Sequence, residues 1–72
     1  MKAFIKVMKA MSDPTRVKII KVLQHRQMCV CELTEALGIA QSTVSNHLNK
    51  LEAAGLVERS KDGLWVNYWL DT

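Results

Sequence analysis

Two residues of this chain carry soft, redox-active sulfur: Cys29 and Cys31, separated by Val30. A thiolate is both a nucleophile and a metal ligand, and sulfur selects thiophilic ions over hard ones. The pair lies too close in sequence to staple distant segments. Its chemistry is therefore ligation of a thiophilic metal or metalloid, or oxidation to a strained disulfide or a sulfenic acid. The run Cys29-Val30-Cys31-Glu32 also has the frame of a helix start. A cap residue followed three positions later by Glu is a capping box, here with sulfur in place of the Ser or Thr oxygen. Losing an oxygen cap typically costs about 1 kcal/mol, so selection for stability alone does not place a thiol there. A helix N-terminus, in turn, favours the anionic form of a thiol. Residues two apart on a regular helix point about 200° apart, so joint ligation by both thiols is expected to fray the first turn.

The elements that must position these thiols are short. Seventy-two residues make one domain, and a chain of that size buries only about 60% of the surface its unfolded form exposes. It depends on tight helix packing, a metal or a partner subunit. The composition, 49% hydrophobic and 24% charged, is globular. No apolar run approaches the roughly 20 residues of a membrane span. Met1-Lys2-Ala3-Phe4 leads into alternating lysines and apolar residues, which is no signal peptide. A soluble, cytoplasmic protein with no membrane partner is the expectation.

Phe4, Met8 and Met11 recur at helical spacing, predicting an amphipathic helix over residues 2–11. Ser12-Asp13-Pro14 breaks it and caps the next, since Pro suits the first helical position. That helix is expected to turn Val17, Ile20 and Leu23 inward and Arg16, Lys18 and Lys21 mostly outward, fading by Gln24 or His25. Gln27-Met28 reads as a short extended piece. A third helix, about Val30 to Leu37, ends at Gly38. After Ile39-Ala40 a fourth runs from about Gln41 to Ala53 and stops at Gly55, with Val44, Leu48 and Leu51 on one stripe. Leu56 to Ser60 is a strand candidate, Asp62-Gly63 a hairpin turn signal, and Trp65 to Leu70 the return strand, with Val66, Tyr68 and Leu70 on one face and Trp65, Asn67 and Trp69 on the other. The order predicts an α+β, mainly α, winged helix-turn-helix: one domain over residues 1–72, the helix-turn-helix over about 30–53, and a two-stranded hairpin wing over about 56–70.

In that architecture the second helix of the motif enters the major groove. Opposite the apolar stripe lie Ser42, Ser45, Asn46 and Asn49, with Thr43, His47 and Lys50 on the flank. Ser, Asn and Thr are poorer helix formers than the Glu and Lys of an ordinary solvated face, so hydrogen bonding to bases and phosphates is the better account. Asn46 can read an adenine edge. Gln41, Ser42, Thr43 and Ser45 suit phosphate or base contacts near the positive end of the helix. His47 suits a phosphate or structural contact, and has no second ligand at helical spacing. Arg59 and Lys61 of the wing suit phosphates or a minor groove. Trp65 and Trp69 are expected in core or interface. A net charge of +3, with no acid from Gln41 through Lys50, suits a polyanion. No cluster of His, Asp, Glu or Ser and no glycine-rich phosphate loop supports an enzyme. The expected partner is double-stranded DNA.

Met11-Ser12-Asp13-Pro14-Thr15-Arg16 resembles the start of the second helix in the ArsR/SmtB family of bacterial transcriptional repressors. Ser42-Thr43-Val44-Ser45-Asn46-His47-Leu48 is similar to the family's recognition helix, and Leu51 to Val57 and Asp62 to Tyr68 to its exit and wing. The likeness runs from about Phe4 to Leu70. It implies a homodimer on an imperfect palindrome, packed through the first helix and a last helix after the wing. The sequence ends at Thr72, where that last helix would begin, so a fold without it and a weakened dimer are expected. Met28 to Leu33 is similar to the family's thiolate site for arsenic and antimony, or cadmium and lead. Thr34 stands where the arsenic type often has a third cysteine, Asn46 where many relatives are basic, and Leu64 where an arginine is frequent. The implied function is an operator-binding repressor released by As(III) or Sb(III) at Cys29 and Cys31, needing no cofactor. Cd(II) or Pb(II) as inducer, thiol oxidation as trigger, and a winged-helix protein-interaction module are the alternatives.

Overall fold

The computed structural model describes residues 2–71. Met1 and Thr72, the latter the expected start of a last helix, lie outside the described residues. The elements are α1 (Lys2–Ala10), α2 (Pro14–Leu23), β1 (Met28–Cys29), α3 (Val30–Leu37), α4 (Gln41–Ala53), β2 (Val57–Asp62) and β3 (Trp65–Leu70). The three strands form one antiparallel sheet in the order β1-β3-β2. The expected two-stranded wing is thus completed by a third strand. The extended piece read at Gln27-Met28 lies one residue later and pairs with β3, Met28 opposite Tyr68 and Cys29 opposite Asn67.

One core holds the layers together. Ile19, Leu33, Val44, Leu48 and Leu51 are fully buried, and Leu23, Val57 and Tyr68 nearly so. The stripe read on α4 is therefore the packed one, and α4 touches α1, α2, α3 and β2. On α2 the reading was off by a fraction of a turn. Its buried pair is Ile19 and Leu23, one turn apart, while Val17 and Ile20 are half-buried. Arg16, on the same helix, was expected to lie mostly outside. It is half-buried, donating Nε–H to the Ala10 carbonyl at 2.6 Å and a terminal nitrogen to the Lys9 carbonyl at 3.3 Å. Those carbonyls end α1, where helical amide donors run out; the Lys9 carbonyl also takes the Ser12 amide and hydroxyl, and the guanidinium supplies a donor to the Ala10 carbonyl.

α1 presents Phe4, Ile5 and Met8 outward, 63%, 48% and 57% exposed, with Ala10 as its buried residue. The apolar periodicity was legible, but the helix lays its opposite edge on the domain. Met11 falls beyond the helix end and packs on the core.

Asp13 caps α2 as read, accepting from the Thr15 and Arg16 amides at 2.7 and 3.3 Å. Desolvation raises its pKa, but the two amide donors, with the charges of His47 and Arg16, outweigh it and hold the carboxyl below its ordinary value. A depressed folded-state pKa gives stability that is present above the unfolded value and is lost as pH falls through the folded one. Melting temperatures measured from pH 5 down to pH 2.5 are expected to fall for the native chain as this carboxylate protonates. Asp13→Asn keeps a capping oxygen, and is expected to flatten part of that slope while retaining most of the neutral-pH stability. Asp13→Ala should lose several degrees at pH 7. An unchanged acid slope in Asp13→Asn would remove the cap's charge from the account.

The hairpin turn lies one residue later than its sequence signal. Asp62 pairs with Trp65, so Gly63 and Leu64 are the two loop residues. Gly63 has φ +63° and Leu64 a negative φ, the combination in which the first loop position requires glycine. Leu64 therefore stands at the tip, 96% exposed.

Candidate nucleic-acid interface and thiol site

α4 begins at Ala40, which has no side chain to cap it. Its first-turn amides are therefore not taken by a neighbouring side chain, and the positive end of the helix dipole stands open. Gln41, Ser42 and Thr43 are exposed around that end, and Asn46, Asn49 and Lys50 continue outward along the helix. Ser45 is half-buried, on the margin of the face and not at its centre. His47 is half-buried too, with Nδ1 3.2 Å from an Arg16 terminal nitrogen. Guanidinium only donates, so in this contact Nδ1 is the accepting atom. His47 thus joins α4 to the α1–α2 corner.

The two wing cations differ. Arg59 lies opposite Tyr68, away from the hairpin tip, and pairs with Glu52 of α4 at 3.3 Å. A hydrogen bond with Tyr68, then the Glu52 charge, raises its pKa further. Lys61 lies opposite Val66, nearer the turn.

Cys29 is buried and Cys31 exposed, both as free thiols. Cys29 is not within a regular helical turn. It is the N-cap, extended at φ −85° and ψ 169°, and at the same time the last residue of β1. The periodic geometry expected for two helical positions therefore does not apply to Cys29, and both cysteines line the same two adjoining hollows. The larger, about 390 Å³, has Glu32, Asp62, Trp65 and Asn67 for its other walls. The smaller, about 180 Å³, is closed by Val30, Gln41, Leu64, Trp65 and Val66. Gln41 is the first residue of α4, and Leu64 and Trp65 belong to the wing. The sheet register explains the convergence. Cys29 is directly opposite Asn67, on the sheet face that also carries Trp65 and Trp69, and a diagonal neighbour lies within reach of a large side chain. Trp65 is 57% exposed here, not in the core.

The capping box is half oxygen. Glu32 accepts the Cys29 backbone N–H at 3.1 Å and is itself held by Arg26 at 2.6 Å. The Arg26 hydrogen bond, then that amide, keep the Glu32 carboxyl below its usual range. Thr34 donates its hydroxyl to the Val30 carbonyl at 2.8 Å. Among the described residues no three His, Cys, Asp or Glu side chains are grouped to hold a metal ion. Among the described residues no helix is long and apolar enough to cross a membrane. Sequence reasoning missed Asp62, Leu64 and Trp65 as neighbours of the two cysteines. Only the one-residue position of the hairpin turn would have placed them.

Residues 13–59 match the family model described as bacterial regulatory protein, arsR family. An HTH-type transcriptional regulator of Methanocaldococcus jannaschii is 43% identical over 65 residues, covering 89% of this chain and 73% of its own. A putative arsenical resistance operon repressor of Halobacterium salinarum is 40% identical over 70 residues, covering 94% of this chain. The chain spans 54% of that repressor's length. Among solved structures, the homodimeric winged helix-turn-helix DNA-binding domain from Mycobacterium bovis superposes with a TM-score of 0.92 at 28% identity, over 96% of this chain and 64% of that one. Its helices and sheet, the family match to most of its length and these relatives make this chain a member of the ArsR family, whose proteins are transcriptional regulators and not enzymes.

Proposed function

We propose that the chain is an operator-binding repressor of the cytoplasm that lets go of DNA when a thiophilic metalloid, As(III) or Sb(III), joins Cys29 and Cys31. The observation that carries this reading is the meeting of both thiols with Gln41 and with Leu64 and Trp65 in one hollow. A ligand drawn between the sulfurs pulls on a residue that is both β1 and the cap of α3, and it presses on the start of α4 and on the wing. DNA and ligand then favour different arrangements, and by linkage each weakens the other.

The DNA contacts assigned are Gln41, Ser42, Thr43, Ser45, Asn46, Asn49 and Lys50 of α4, with Lys61 on the wing. His47 and Arg59 act on the same face through their bonds to Arg16 and Glu52. The exposed Phe4, Ile5 and Met8 stripe of α1 supports a homodimer, as does the homodimeric Mycobacterium relative. The Halobacterium relative's arsenical resistance designation supports As(III), and a cadmium resistance regulator homolog of Staphylococcus aureus, 42% identical over 67 residues, supports Cd(II) as the alternative.

The test is competition on an operator duplex selected from a random pool, with As(III), Sb(III), Cd(II), Pb(II), Zn(II) and peroxide as separate challenges. As(III) is expected to lower operator affinity by at least about tenfold, the scale of ordinary allosteric coupling. Cys31→Ser and Cys29→Ser should keep most of the DNA affinity and lose the response. Equal affinity with and without As(III) removes the sensor. Release by peroxide alone would transfer the role to thiol oxidation.

A further inference from the structure

We infer that the basic hollow between α1, α2 and α4 seats the DNA backbone along the side of α4 that faces away from the wing. The inference rests on the operator-binding reading above and adds to it a second run of phosphate contacts, from Lys6, Lys9, Arg16 and Lys50.

The hollow, about 340 Å³, is lined by those four cations and by Ala10, Ala53 and Ala54, with no carboxylate on its walls. The ion pairs among the described residues, Arg26 with Glu32 and Arg59 with Glu52, engage none of the four. Lys6 and Lys9 stand one turn apart on α1, which contains no acidic residue. Like charges at that spacing destabilise a helix, and a phosphate between them removes the repulsion. Arg16 is already held in place. Its guanidinium donates to the Ala10 and Lys9 carbonyls and to His47 Nδ1. Those bonds use three of its five N–H groups and leave two, on a charge that has little freedom left to lose. Asp13, whose charge reaches Arg16, is committed to the Thr15 and Arg16 amides.

The place of the hollow beside α4 selects the partner. Glu52 ties one side of α4 to the wing through Arg59, and His47 ties the other to the α1–α2 corner through Arg16. Five residues apart, Glu52 and His47 point about 140° apart around the helix axis. The outward face with Asn46 and Asn49 lies between them, and Lys50 and Ala54 fall on the His47 side. A helix lying in a major groove has a phosphate backbone along each of its flanks. Lys61 of the wing serves one flank, and the hollow sets four cations beside the other. A duplex fits this arrangement because its phosphates continue from the base edges that the outward face reads.

The experiment measures operator affinity of the full chain by anisotropy between about 50 and about 200 mM salt. Each phosphate contact contributes about −0.9 to the slope of log affinity against log salt. Lys6→Gln combined with Lys9→Gln should flatten that slope by about 1 to 2 per bound chain and weaken binding by about tenfold or more. Operator and random duplex should weaken alike, since phosphate contacts carry no sequence information. Both lysines are exposed, so the melting temperature should barely move. Lys6→Arg combined with Lys9→Arg keeps the charge and should keep the slope. Lys18→Gln combined with Lys21→Gln makes the same change of net charge at exposed positions of α2 outside the hollow, and should leave the slope near the native value. Inorganic phosphate titrated into the DNA-free chain by calorimetry should bind no tighter than about 1 mM. Tight phosphate binding that the Lys6 and Lys9 substitutions abolish would give the hollow to a free anion and overturn the inference. A slope moved no more by the α1 pair than by the α2 pair overturns it too. If the native chain still binds its operator in either case, the repressor reading stands and only this contact falls. If no duplex binds at all, both fall.

Discussion

Leu48→Ala is expected to leave this chain close to unfolded under ordinary conditions. Leu48 is fully buried at the middle of the α4 stripe, one turn from both Val44 and Leu51. Truncating a buried leucine to alanine costs about 2–5 kcal/mol. At about 0.05–0.15 kcal/mol per residue, a domain this short has a total stability of roughly 4–11 kcal/mol, so one side chain removes a large share of it. With a urea slope near 1 kcal/mol/M for a small protein, the midpoint should fall by about 2 M or more. Trp65 and Trp69 report the transition by fluorescence. Asn49→Ala, on the exposed side of the same helix, should stay within about 0.5 kcal/mol of the native chain. A midpoint shift under about 0.5 M for Leu48→Ala would mean that α4 does not organise the core.

The largest expected effect on DNA binding belongs to Asn46→Asp. Asn46 is exposed on α4, so the substitution should leave the melting temperature within a few degrees. An Asn paired to an adenine edge contributes about 1–3 kcal/mol of discrimination, and the carboxylate adds repulsion from the phosphates. Operator affinity, read by fluorescence anisotropy at fixed salt, should fall by about 100-fold or more. Asn46→Ala should fall less, because it loses the contact without adding charge. A loss under about threefold for the aspartate variant would take the outer face of α4 out of the interface.

What was legible in the sequence is what local chemistry decides. The Val44-Leu48-Leu51 stripe follows from helical period, the Asp13 cap and Pro14 start from amide satisfaction, and the α3 end from a Gly38 at φ +67°. What was not legible depends on register and on long side chains. Asp-Gly and Gly-Leu are both serviceable two-residue loops, and only the pairing of β2 with β3 selects the second. That one-residue difference moves Leu64 to the tip and Trp65 beside the thiols. Arg16 looked like a surface charge because charge alone says nothing of the carbonyls ending α1 that its guanidinium reaches. The thiols were read correctly as sitting at a helix start, yet the periodic geometry of a helix was applied to a cap residue that is extended. The cap position had been identified from the Glu32 spacing, and an N-cap has non-helical angles by definition. The identity of the candidate DNA contacts followed from one helical wheel. The separate roles of His47 and Arg59 did not, because their partners lie on other elements.

The strand order β1-β3-β2 leaves the sheet with two open edges. An open edge is a template on which a neighbouring chain can add a strand. One edge here is β1, two residues long and continuous with a helix, too short to seat a visitor. The other is β2, Val-Glu-Arg-Ser-Lys-Asp, four of whose six residues are charged. A strand laid against it would have to desolvate those charges. Its charges thus oppose edge-to-edge pairing of the wing, while β1 opposes it by being short.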